Sequence, residues 1–236
     1  MRTGPPFVDG PLVGWRARLT FGGMALLTAF AIGGALAAVT VGALKAAFPA
    51  GRGQLDKDVA RITDTLRQRL PELAPITDAE LERISWNIIM DKRQGGFVPG
   101  SITTIYHEPV VLFAFKKYWS PGGARSLLYV RSTEYEWVYR IRGKEVSLSI
   151  NGKEVGRLLP DGQLQDKKKR VLARIARPAG VERWPITVAS QELGALVNPA
   201  FKHSELTRAF SLPLPMTRTQ RGYFLALGLY EMLVER

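Results

Sequence analysis

The pattern of polar and apolar positions changes character three times along the chain. Residues 19–44 carry no charged side chain at all. Wound as a helix rising 1.5 Å per residue, that run would span about 39 Å, against about 30 Å of bilayer hydrocarbon. From Leu55 to Leu73 the apolar residues Leu55, Val59, Ile62, Leu66, Leu70 and Leu73 recur at steps of three and four, which predicts an amphipathic helix. A second helix is expected from Thr77, with Glu80 completing a capping box. Leu81, Ile84, Ile88 and Ile89 give that helix an apolar face, and Gly95-Gly96 ends it. Residues 55–94 thus read as a helical neck.

From about residue 101 the period falls to two. Strands are expected at 102–107, 110–119, 126–132, 136–142, 145–150, 153–159, 163–166 and 170–177, with three more at 184–189, 192–197 and 209–214. Asn151-Gly152 and Asp161-Gly162 mark tight hairpin turns, because both dipeptides tolerate positive φ. Val146-Ser147-Leu148-Ser149-Ile150 alternates strictly, so one face is buried and the other wet. The chain closes with residues 216–236, where Thr217 or Thr219 can cap a helix whose stretch Gly222–Tyr230 is apolar on every side. Such a helix is too short to span a bilayer, so it belongs inside protein.

The expected fold class is therefore α+β: an N-terminal transmembrane helix, a short helical neck, and an antiparallel β-meander or barrel closed by a buried C-terminal helix. The expected parts are a tail at 1–18, an anchor at 19–48, a linker and neck at 49–99, and a β-rich basic domain at 100–236. Two readings of the apolar run stay open, a permanent single-pass anchor and a signal peptide cleaved after Ala37. Its length favours the anchor, since signal-peptide cores run about 7–15 residues. Small residues at helical spacing, Ala29, Gly33 and Ala37 beside Gly34 and Ala38, would let a second membrane helix approach closely. The nearby Lys and Arg number three on each side, so the positive-inside rule selects no orientation.

Charge adds a second theme. The chain carries a formal charge of +12, and residues 100–236 hold 21 Lys and Arg against 12 Asp and Glu, a net of +9. The densest run, Lys167-Lys168-Lys169-Arg170, falls between two expected strands. It reads either as a solvated turn or as a contact for an anionic surface. No nucleic-acid-binding signature accompanies the charge, so nucleic acid is not an expected partner.

The order of short strands followed by one buried helix resembles the tubby C-terminal-like superfamily, which includes the phospholipid scramblases and the plant LURP-one-related proteins. The likeness rests on Val146–Arg177, with Ile150-Asn-Gly-Lys-Glu-Val-Gly156 and Asp161-Gly162 as punctuation, and on Phe210-Ser-Leu-Pro-Leu-Pro215 leading into Arg221–Val234. It implies an antiparallel barrel of about a dozen strands around a single hydrophobic helix. Scramblases place their membrane helix at the C-terminus and carry an acidic calcium segment. This chain matches neither feature, so calcium-dependent lipid transport is not implied.

Little in the sequence points to catalysis. There is no cysteine, and the two histidines, His107 and His203, stand far apart. Catalytic zinc takes three protein ligands and structural zinc four, so no metal and no cofactor are expected. Asp56-x-Asp58 lacks the remaining ligands of a calcium loop and reads as a helix start. Trp119, Trp137 and Trp184, with Tyr106, Tyr118 and Tyr135, read as core in preference to a ligand groove. The expected function is a non-enzymatic, single-pass membrane protein whose basic domain binds a lipid surface or a neighbouring membrane protein. Alternatives are an accessory subunit of a larger membrane complex and an extracytoplasmic hydrolase with an unrecognised site.

Overall fold

The computed structural model describes residues 52–119, 124–212 and 214–234. The expected tail and anchor, with Ala29, Gly33, Gly34, Ala37 and Ala38, lie outside the described residues.

Twelve strands form one antiparallel sheet in strictly sequential order. They are β1 (Ile84–Met90), β2 (Val98–Thr104), β3 (Pro109–Tyr118), β4 (Arg125–Arg131), β5 (Glu136–Arg142) and β6 (Glu145–Ile150). β7 (Lys153–Leu158), β8 (Gln163–Gln165), β9 (Val171–Ile175), β10 (Arg183–Val188), β11 (Gln191–Val197) and β12 (Phe210–Ser211) complete the sheet. The first strand meets the segment just before the last. Ala209 donates its N–H to the Ile84 carbonyl at 2.7 Å, and Trp86 donates to the Thr207 carbonyl at 3.0 Å. The sheet is thereby rolled into a nearly closed barrel, which leaves little open edge.

The expected α+β class with a transmembrane helix and a helical neck is corrected. The fold is a mostly antiparallel β-sheet, nearly closed as a barrel, with a C-terminal helix. Of the neck there remain α1 (Arg52–Arg67), a single 3-10 turn at Leu70–Glu72 and the four-residue α2 (Asp78–Leu81). Among the described residues no helix is long and apolar enough to cross a membrane. Thr77 does cap α2, its hydroxyl accepting from the Glu80 N–H at 3.2 Å, but the helix then stops. Ile84 and Ile88 are four apart, a spacing that suits both a helical face and alternate positions of a strand. Trp86 between them decides the matter: Ile84 and Trp86 are buried in the barrel core and Ile88 packs against it. Gly95-Gly96 is the β1–β2 turn rather than a helix stop, with φ of 54° and 89°.

The helix α1 packs on the outside of the barrel wall. Its Ile62 and Leu66 are fully covered by Leu112, Ala114, Leu127, Tyr129 and Val138 from β3, β4 and β5. Polar groups fix its seat. Asp58 is 3 % exposed and receives Lys116 Nζ at 2.8 Å and the Tyr118 hydroxyl at 2.7 Å. Burial by itself would raise the Asp58 carboxyl, but the bonds from Lys116 and Tyr118 outweigh it and hold the group below its ordinary value. The same burial, together with the Asp58 charge, pushes the Tyr118 phenol far up.

The barrel is filled by α3 (Arg218–Val234). Phe224, Leu225, Leu227, Leu229 and Met232 are buried in the main core, each contributing about 1.5–3 kcal/mol by leaving water. Three side chains at alternate positions, Tyr135 just before β5 and Trp137 and Tyr139 within it, hold the helix by its backbone. Tyr135 donates its hydroxyl to the Arg218 carbonyl at 2.7 Å, Trp137 its indole N–H to Gly222 at 3.0 Å, and Tyr139 its hydroxyl to Ala226 at 2.8 Å. Two residues of strand advance about 6.8 Å and four residues of helix about 6.0 Å, so the two repeats stay in step. Gly228 makes room for a ring at the next turn, since a Cβ there would lie 2.3 Å from Phe210 Cε1. Glu231, buried near the helix C-terminus where a negative charge is disfavoured, is clamped by both Nε and Nη2 of Arg177.

Two outcomes follow from this packing. Gly228→Val is expected to lower stability in urea unfolding by about 1–3 kcal/mol, the usual effect of overfilling a packed core. For Asp58, whose pKa is depressed in the fold, the stabilisation is present above the ordinary carboxylate value near 3.9 and lost as pH falls through the lowered one. Urea midpoints measured from pH 6 down to pH 2 should therefore converge for wild type and Asp58→Asn at the acid end, while at pH 6 the variant is the weaker.

Candidate functional site

A cluster of exposed basic residues meets a cavity at one mouth of the barrel, where α3 begins. Two hairpin turns form its rim. Between β6 and β7, Asn151 and Gly152 take φ of 49° and 74°, the pair of positive angles that a two-residue hairpin requires. Between β8 and β9 the basic run is folded around one carboxylate. Asp166 Oδ1 accepts the N–H groups of Lys168 at 2.8 Å and Arg170 at 2.9 Å, and Oδ2 accepts Arg170 Nε at 2.7 Å. Lys169 sits at φ 62° to close the loop. The backbone N–H of Arg170, then its guanidinium and the N–H of Lys168, hold the Asp166 carboxyl below its usual range. Lys167, Lys168, Lys169 and Arg170 are all exposed.

The third side of the mouth is the first turn of α3. Thr217 and Gln220 cap it reciprocally, the Thr217 hydroxyl accepting the Gln220 N–H at 3.3 Å and Gln220 Oε1 accepting the Thr217 N–H at 2.9 Å. Arg218 then lies over the Tyr135 ring, 5.9 Å from its centroid.

Between these segments is a cavity of about 440 Å³, within the range of small-molecule sites. Its apolar wall includes Ile150, Val155, Leu172 and Tyr223, all only partly buried although they pack on the core. Lys153, Arg170 and Arg218 line it as cations, Glu154 and Asp166 as carboxylates. Both carboxylates are matched by the basic loop, Asp166 by Arg170 and Glu154 by Lys167 at 3.0 Å. The site is an apolar recess under a positive rim.

A second groove of about 450 Å³ lies on the outer wall beside α1, lined by Arg125, Arg140 and Arg142 with Asp56, Glu145 and Glu154. There the charges balance, and Arg140 is engaged with Asp56 and Ser149, each at 3.1 Å. That groove explains how α1 is seated more than it suggests a ligand.

Of the residues singled out in the sequence, the basic run forms part of the mouth. His107 is exposed on a turn, its Nδ1 at 3.3 Å from Asn87 Nδ2, and His203 is exposed elsewhere. Among the described residues no three His, Cys, Asp or Glu side chains are grouped to hold a metal. Tyr135 and Trp137 stack in the core with centroids 5.1 Å apart, whereas Tyr106 and Trp119 are exposed. Lys153, Leu172, Arg218 and Tyr223 were not singled out beforehand. They come from three separate segments, β7, β9 and α3, and meet only because the barrel closes around α3.

Compared with family models, with curated proteins and with solved structures, the chain matches none.

The Asp166 geometry has a spectroscopic consequence. The amide shifts of Lys168 and Arg170 should titrate with a midpoint below the ordinary Asp value near 3.9, reporting loss of the carboxylate acceptor. Asp166→Asn should abolish that titration while leaving the Asn151-Gly152 turn unchanged.

Proposed function

We propose that the barrel is a non-enzymatic binding module that works against an anionic membrane surface, with its basic mouth facing the headgroups. The observation that carries this reading is the placing of exposed Lys167, Lys168 and Lys169 at the same mouth as Lys153 and Arg218. Basic residues near an anionic leaflet contribute about 1 kcal/mol each, so a handful suffices for reversible attachment. The net charge of +9 over residues 100–236 acts in the same direction. The uncharged run at 19–44 supports a location at the membrane, where even a weak surface contact would be favoured by proximity. A sequential twelve-stranded sheet around one apolar helix supports the likeness to the tubby C-terminal-like superfamily, which belongs to this proposal.

Residues 50–236 form one compact unit, and that fragment allows a direct test by co-sedimentation. It should pellet with vesicles rich in phosphatidylserine, stay in the supernatant with pure phosphatidylcholine, and be released as salt rises and the Debye length shrinks from about 10 Å at 0.1 M to about 3 Å at 1 M. Replacing Lys167, Lys168 and Lys169 together by Ala should weaken binding about a hundredfold, three contributions of about 1 kcal/mol. Equal association with neutral vesicles would reject the electrostatic reading.

A further inference from the structure

We propose that the cavity at the barrel mouth binds one anionic amphiphile, its headgroup held by Lys153 and Arg218 and its chain lying along Ile150, Val155, Leu172 and Tyr223. This deepens the membrane-surface reading and rests on it. A flat cationic surface needs no recess, yet here the rim borders an open recess of about 440 Å³. The two carboxylates at the rim already have cationic partners in the basic loop, Arg170 for Asp166 and Lys167 for Glu154. Among the described residues Lys153 and Arg218 have no carboxylate within ion-pair distance. They therefore present net positive charge at the opening, which selects an anion.

The wall below selects an apolar tail. Ile150, Val155, Leu172 and Tyr223 keep part of their surface open, although each packs on the main core. Covering such apolar surface is favourable, a gain that a soluble phosphate cannot make. Gly222 lines the cavity as well. A Cβ there would stand 3.2 Å from Tyr135 Cε1, so the glycine lets the Tyr135 ring pack close against the helix and form the floor. The volume suits one small ligand, which points to a singly acylated anionic lipid rather than a patch of bilayer.

The test uses the full-length chain in neutral detergent, with bound ligand counted by native mass spectrometry. Decanoyl lysophosphatidic acid should bind one per chain, at least tenfold more tightly than glycerol 3-phosphate, which offers the phosphate without the chain. It should also bind at least tenfold more tightly than decanoyl lysophosphatidylcholine, which offers the chain without net charge. Thr219→Trp, at an exposed position lining the cavity, should fill it and lower lysophosphatidic acid binding at least tenfold. The fragment's association with phosphatidylserine vesicles is measured separately, on the wild-type chain. Arg218→Glu should lower lysophosphatidic acid binding while preserving the melting transition. Equal binding of glycerol 3-phosphate, or no effect of Thr219→Trp, would overturn the cavity assignment. Vesicle binding that persists in either event would leave the surface reading standing, so the two fail separately.

Discussion

The structure depends on one arrangement: an apolar helix enclosed by a sheet that supplies its core contacts and also binds its backbone. Tyr135, Trp137 and Tyr139 each donate to a helix carbonyl one turn further along. Because these carbonyls belong to residues 218, 222 and 226, the helix is fixed in rotation and in depth. Neither property would follow from hydrophobic burial alone, which is non-directional. At the far end the buried Glu231–Arg177 pair limits sliding further. A buried pair of this kind is poor at adding net stability and severe when broken, so its clearest effect is on position.

That fixed depth determines what the mouth looks like. The first turn of α3 stops level with the β6–β7 and β8–β9 turns, which brings Arg218 beside Lys153 and the basic loop. Had the helix sat one turn deeper, the recess would be wider and Arg218 would face the interior. The charge at this mouth is also arranged by the loop itself. Asp166 organises the lysine-rich turn through backbone N–H groups, so its negative charge is turned inward while the lysines point outward. A solvated turn and a surface contact were rival readings of those four residues; the fold shows an exposed turn, and the surface contact belongs to the proposal.

Eleven of the twelve strands were legible as alternation and turn chemistry, down to Asn151-Gly152. The missed strand is informative. Leu81, Ile84 and Ile88 satisfy helical spacing, and Thr77 is a real cap, so local signals favoured a long helix. Pairing with β2 and closure against residues 207–209 overrode them, as tertiary context often does. The same context turned α1 from a spacer into a brace on the outer wall, guided by Asp58, which looked like a simple helix-start residue. In the candidate site only Lys167–Arg170 were visible beforehand, because they are contiguous. The other contributors come from the β6–β7 hairpin, β9 and the start of α3, segments distant in the chain with no spacing to betray them.

The most direct measurement is hydrogen exchange of the full-length chain with and without phosphatidylserine vesicles. Within the barrel, added protection should be confined to residues 151–155, 166–172 and 217–223, the three segments that surround the mouth. Protection centred instead on α1 and the outer faces of β3 to β5, or none anywhere in the barrel, would contradict the assignment of this mouth as the binding end.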